Sequence, residues 1–394
     1  MRGVSPMNSI GRCAESLRPL TSARPVAAKI PALTGLRFFA AMAIVFWHSQ
    51  TGYFFKFGAF SPFYLAGAVP VFFVLSGFVL TIGADRYSSR LDFFVARLAR
   101  LWPAHIAALV LVLLIRNHRY PVSLSFDWSL PLNALLLQSW VPSMAMSYNA
   151  PSWSVSDEMF FYAAFPLAFA SFQRQTFVKV AAIVAAVLCG ILAVDTMRPG
   201  IDPNWLGSVL PLSGFAAFAI GVGAGIWWKR LPAPAGGYRL GSLIQLIALA
   251  GALGANVYFA SHPVAASPAT MAFIYLFGPS PCYACLLVAL ARYDGIVSRG
   301  LSLPLIVYGG EISYSIYLFH QIIIQWHGTH LSAFSAVPIW WQYAGILAST
   351  LCIAAAVHHL IERPARRTMI DGWRRLQRLC DKQFRLKSAE APAE

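Results

Sequence analysis

The stretch LRFFAAMAIVFWH, Leu36 to His48, is apolar except where Arg37 opens it and His48 closes it. At 100° per residue the eleven steps between them make three turns plus about 20°. Both side chains therefore fall on one stripe of a helix, about 16 Å apart along its axis. With its apolar flanks the run is long enough to enter a bilayer, where ionisable groups are costly and tend to mark function. Taken singly, Arg37 can snorkel to the headgroups and His48 can be a satisfied interfacial histidine. As a pair on one face they are candidates for chemistry.

The same apolar character recurs along the whole chain. Of its 394 residues 58% are hydrophobic and 11% charged, about half the charged share of a soluble domain. Candidate spans lie at about 35–54, 64–82, 97–115, 158–172, 178–195, 206–228, 240–260, 269–291, 305–327 and 338–361. The reading is an all-α polytopic membrane protein of about ten transmembrane helices. It is flanked by basic cytoplasmic tails at 1–30 and 368–394, with the transmembrane domain at 31–367 between them.

A net charge of +15 would suit nucleic acid, but its placement excludes that class. If the N-terminus is inside, the inner tails and loops hold 25 Lys and Arg. The outer side holds Lys56, Arg116, Arg119 and Arg198, and Arg37 sits at a helix end. Cytoplasmic loops carry this excess, so both termini are expected inside, and the charge to meet anionic lipid. The N-terminal tail lacks the apolar core of a cleavable signal peptide, although an organelle transit peptide has a similar composition. The C-terminal tail is read as a solvated basic anchor or an amphipathic helix on the inner leaflet. The cysteines at 13, 189, 282, 285, 352 and 380 are scattered; the CxxC at 282–285 has no second pair, and no metal site is expected.

Four further segments place polar groups on apolar spans. In DFFVARLARLWP, Asp92 to Pro103, Arg97 and Arg100 share a helix face. Such a fork suits phosphates, or ordinary positive-inside anchoring. In PSWSVSDEMFFYAAFP, Pro151 to Pro166, Asp157 and Glu158 follow Ser154 and Ser156. Either serine could cap the helix and the acids favour its N-terminus; alternatively Glu158 orients a histidine or binds a sugar, with Trp153 stacking on its ring. The long outer loop before it, about 116–155, carries Tyr120, Phe126, Trp128, Trp140 and Tyr148. In GEISYSIYLFHQ, Gly310 to Gln321, Tyr317 and His320 fall on one side of a span; such groups also serve as interhelical hydrogen bonds. Finally IERPARR, Ile361 to Arg367, ends the last span, where Glu362 is expected to close it with Arg363.

In order and placement these segments resemble the acyltransferase family 3 membrane proteins. The match covers about residues 30 to 367: the Arg37–His48 pair, FFVLSGF at 72–78, Arg97, Arg100 and Pro103, SWSVSDEMFFY against the family's SWSLSVEEQFY, ISYSIYLFH, and IERPARR. It departs at Thr34, where an acid often stands, and at Met159, in place of a second glutamate; Asp157 appears on the other flank. These departures put a second carboxylate in doubt.

The resemblance implies an O-acyltransferase of the bacterial inner membrane that moves an acyl group, expected to be acetyl, from acyl-CoA to a cell-surface polysaccharide or lipid-linked glycan. Arg37, Arg97 and Arg100 would hold the phosphates of acyl-CoA. His48 would act as general base or brief acyl carrier, with Glu158 catalytic beside it. Trp153, Ser154, Tyr317 and His320 would bind the acceptor or hold the structure. Acyl-CoA is expected as co-substrate, with no permanently bound cofactor. Expected partners are the glycan, membrane lipid and glycan-assembly proteins. No soluble esterase-like domain is expected after the last span. Acylation of a small secondary metabolite and polar-solute transport are the competing classes. Transport would call for Gly/Pro-broken helices in matched halves, and no such repeat is visible.

Overall fold

The computed structural model describes residues 30–52, 65, 67–115, 128–198, 200–234, 236–264 and 266–389. The tail before Ile30 and Lys56, Arg116, Arg119, Tyr120 and Phe126 lie outside them. All regular structure among the described residues is helical. The principal helices are α1 Pro31–Gly52, α2 Ala68–Ile82, α3 Arg90–Leu114, α4 Trp153–Phe172, α5 Thr176–Met197, α6 Pro211–Arg230, α7 Tyr238–Ser261, α8 Pro268–Phe277, α9 Ser280–Arg292, α10 Pro304–Glu311, α11 Ser313–Thr329, α12 Ile339–Val357 and α13 Arg363–Ala389.

Among the described residues, each apolar run read from the sequence has its counterpart in these helices, which form a multi-pass membrane protein. Seven stretches among the described residues are long and apolar enough to cross a bilayer: α1, α3, α5, α6 with the turn before it, α7, the α8–α9 pair, and α12 running into α13. The other three expected spans are helices of a different kind. α2 has 15 residues, α4 carries Asp157 and Glu158, and the run at 305–327 breaks at Ile312 into α10 and α11.

Burial separates inner from outer helices. The α6 segment is 78% buried, whereas α5 and α7 are 6% and 11% buried although strongly apolar. Only a hydrocarbon surround makes such exposure inexpensive. At the centre α2 lies closely against α6, because glycines face one another: a methyl on Gly221 would overlap the Val74 carbonyl, and one on Gly77 the Phe218 carbonyl. Small residues at the contact let the backbones approach. Around this seam Phe161 meets Phe73 edge-on at 5.0 Å and stacks on Phe218 at 5.0 Å, geometries that aromatic quadrupoles favour.

Two other contacts position the site. α1 seats against α10, where Gly310 meets the Thr34 carbonyl, and this carries α11 along the face of α1. α3 is capped by Ser89, whose hydroxyl accepts from the Asp92 amide at 3.0 Å. α12 passes into α13 through a π-helical turn, His358–Glu362. That turn corrects one expectation. Glu362 does not close the span with Arg363 at the surface; it turns inward, accepting from His358 Nδ1 at 2.9 Å and Ser315 at 3.3 Å. An extra residue in the turn rotates the side chain from the outer to the inner face.

Candidate active site

α1, α2, α4 and α11 line a partly open cavity bounded by Arg37, Val69, Phe72, Phe73, Ser154, Val155, Glu158, Tyr314 and Tyr317. One wall is apolar, supplied by α2. The other carries a guanidinium, a carboxylate and hydroxyls. Arg37, Ser154, Glu158 and Tyr317, singled out on three separate segments, therefore share one space.

The two acids of α4 separate. Glu158 lines the cavity and accepts from Tyr162 at 3.2 Å. Asp157 is fully buried against Gly214 of α6 and takes no part in the wall. Neither Ser154 nor Ser156 caps the helix, which begins at Trp153. Ser156 instead donates to the Leu136 carbonyl at 2.7 Å, and Ser154 lies 2.7 Å from the Tyr317 hydroxyl. Tyr317 in turn donates to the Pro151 carbonyl at 2.7 Å, locking α11 to the start of α4. Trp153 sits edge-on to Phe73 at 6.1 Å, outside the cavity wall.

The arginines gather below. Arg37, Arg97 and Arg100 all act electrostatically on Glu158. Arg97 donates to the Tyr87 hydroxyl and lies 5.6 Å from the centre of its ring and 5.9 Å from that of Phe93, a cation–π arrangement that holds the guanidinium in place. The Nε atoms of Arg37 and Arg97 are buried without a hydrogen-bond partner among the described residues, which leaves donors for a ligand. Arg366 of α13 joins the group, interacting with Arg100, Arg97 and Glu362. Sequence reasoning missed it, although it lies in the quoted IERPARR; only the course of α13 alongside α3 reveals it. Clustered arginines with few acids suit a ligand bearing several phosphates.

His48 lies above, half-buried near the far end of α1. A row of rings leads to it from the cavity: Phe72 to Tyr317 at 6.2 Å, Tyr317 to His320 at 5.9 Å, and His320 to His48 at 4.9 Å between centroids. His320 is fully buried, and its Nε2 is 3.1 Å from His48 Nδ1. The site thus has a cationic base, a half-apolar cavity and an imidazole pair in series. Among the described residues no three His, Cys, Asp or Glu side chains gather as a metal ion would require.

A family model described as "Acyltransferase domain" (Acyl_transf_3) matches residues 30–359. The chain is 29% identical over 384 residues to Acyltransferase MdmB of Streptomyces mycarofaciens, covering 88% of this chain and 94% of that protein. It is 26% identical over 354 residues to Nodulation protein 10 of Rhizobium leguminosarum bv. viciae, covering 84% and 91%. It is 25% identical over 368 residues to YrhL of Bacillus subtilis, provisionally named a peptidoglycan O-acetyltransferase, covering 86% of this chain and 55% of that one. No solved structure matches the chain.

Proposed function

The chain belongs to acyltransferase family 3 and is a membrane O-acyltransferase, and from that premise we propose that it moves an acetyl group from acetyl-CoA to a hydroxyl of a cell-surface polysaccharide or lipid-linked glycan. The observation that carries this reading is the series formed by the arginine cluster, the cavity and the His48–His320 pair. Arg37, Arg97, Arg100 and Arg366 take the phosphates of CoA, and the pantetheine arm passes through the cavity toward His48. Arg37 and His48 are about 16 Å apart on one helix, a span that a long flexible arm is needed to bridge.

His48 removes the proton of the acceptor hydroxyl. The oxygen attacks the thioester carbonyl, the carbon–sulfur bond breaks, and His48 returns the proton to the departing CoA thiolate. Ester and free thiol are the products, and the histidine ends as it began. Glu158 sets its carboxyl group among the arginines and holds the cluster together. In this reading the chain makes ten crossings of a bacterial inner membrane with both termini cytoplasmic, as the distribution of Lys and Arg supports.

The test uses membranes carrying wild type, His48→Ala or Arg37→Ala, supplied with labelled acetyl-CoA, with incorporation into surface glycan as the readout. The expected result is labelled glycan in wild type and none in either variant at equal insertion. Full activity in His48→Ala removes His48 as base. Wild type that labels no glycan but acylates a small hydroxylated metabolite overturns the acceptor assignment.

A further inference from the structure

The hydrogen bonds around the two imidazoles assign their protons. His320 Nδ1 is 3.3 Å from the Ile316 carbonyl. A carbonyl oxygen only accepts, so this nitrogen carries hydrogen, and in the neutral ring Nε2 is then the acceptor. That acceptor lies 3.1 Å from His48 Nδ1. His48 Nδ1 also lies 3.1 Å from the Ile44 carbonyl. Two acceptors converge on one nitrogen, which must therefore be the protonated one. The hydrogen positions follow from the partners, and they leave His48 Nε2 with its lone pair free.

We propose that His320 is a positioning residue that fixes His48 in the Nδ1–H tautomer and so makes His48 Nε2 the nitrogen that takes the acceptor proton. The inference rests on His48 being the base. It adds which atom reacts and what orients it. The second nitrogen of a catalytic histidine needs such an acceptor to set the tautomer and the ring angle. In hydrolytic triads a carboxylate supplies it. Here a neutral imidazole does, itself anchored by a backbone carbonyl and wholly buried. When Nε2 of His48 gains its proton, the Nδ1–H still faces the same two acceptors, so the imidazolium forms without rearrangement of its partners.

The arrangement also explains why the residue on α11 is a histidine. Nε2 of the ring stands far enough from the backbone to reach α1 while Nδ1 bonds its own helix at Ile316. A glutamine reaches about as far with an acceptor oxygen; a phenylalanine fills the same volume without one.

The test combines kinetics with a spectroscopic readout on the full chain in nanodiscs. His320→Phe should lower kcat with acetyl-CoA on the order of 10²-fold, the scale of a positioned base, with KM for acetyl-CoA little changed. His320→Gln should restore most of the rate. Nitrogen-15 spectra of the histidine rings, with His48 assigned through His48→Gln, should show wild-type His48 as the Nδ1–H tautomer, and that preference should be lost in His320→Phe. The proposal is overturned by a wild-type His48 protonated at Nε2, by undiminished kcat in His320→Phe, or by His320→Gln being as slow as His320→Phe. The tautomer reading needs no substrate, so a wild type inactive with acetyl-CoA would count against the donor and leave the tautomer to be judged by its own spectrum.

Discussion

Trp373 of α13 donates its indole N–H to Asp92 of α3 at 2.7 Å, and Gln377 donates to the same carboxylate oxygen at 2.7 Å. Ser88 occupies the other oxygen. This latch ties the C-terminal helix to the first turn of α3. Eight residues further along α3 comes Arg100, and seven residues back along α13 comes Arg366. At 1.5 Å per residue the two arginines lie about 12 Å and about 10 Å from the latch, so antiparallel helices bring them level. The C-terminal helix is therefore part of the arginine cluster rather than a tail hung from the membrane.

Arg366→Gln should consequently raise KM for acetyl-CoA about tenfold, the weight of one lost charged hydrogen bond, while kcat stays nearly level. Trp373→Phe should produce a smaller rise in the same direction, because it loosens the helix that carries the arginine. Steady-state transfer across a range of acetyl-CoA concentrations separates the two constants. A drop in kcat at constant KM would place Arg366 outside the donor site.

Glu158→Gln removes the carboxylate that faces Arg37, Arg97 and Arg100. Half-buried guanidiniums left without a neighbouring carboxylate repel one another at close quarters. The variant should unfold at lower temperature than wild type, and added CoA should recover more of that loss in the variant than in wild type, because the polyphosphate supplies the missing negative charge. Thermal unfolding in detergent with and without CoA measures both. Equal shifts in the two proteins would mean that CoA does not reach this cluster.

Much of this site is legible in the order of the residues alone. Spans stand out because lipid demands unbroken apolar runs, and helical period by itself puts Arg37 and His48 on one face. The arginines of α3 and the tyrosines of α11 are visible as polar groups out of place. Relations set by tertiary packing leave no such mark. Nothing in SDE says that Asp157 turns toward Gly214 while Glu158 turns to the cavity. The capping role open to Ser154 gives way to its contact with Tyr317, because α4 begins ahead of both serines. Arg366 and the His48–His320 contact depend on which helices become neighbours, and residues 272 positions apart leave no local trace of meeting.

Tyr317→Phe keeps the ring and removes the hydroxyl that bonds the Pro151 carbonyl and meets Ser154. Ser154 still donates to that carbonyl at 3.2 Å, so the loss should lie near the lower end of the about 1–3 kcal/mol that a bare buried acceptor costs. Ser154→Ala deletes the other side of the same contact, and because both hydroxyls share the Pro151 carbonyl the double variant's loss should differ from the sum of the two single losses. Unfolding in denaturant provides the cycle. Strict additivity would show that the two hydroxyls do not act on each other.

Gly221→Val tests the seam on which the cavity wall stands. Any side chain there meets the Val74 carbonyl, and because that atom belongs to the backbone of α2 it cannot swing aside. The helices must separate, at a cost of at least the about 1–3 kcal/mol typical of overpacked cores. Val69, Phe72 and Phe73 ride on α2 and form the apolar wall, so separation displaces them from the cavity as well. Gly190→Ala makes the contrast, since nothing lies within 4 Å of that position. The expectation is a marked fall in thermal stability and in acyl transfer for Gly221→Val, and wild-type values of both for Gly190→Ala. If Gly221→Val instead folded and transferred normally, α2 and α6 would not be in backbone contact, and the cavity described between α1, α2, α4 and α11 would lose its support.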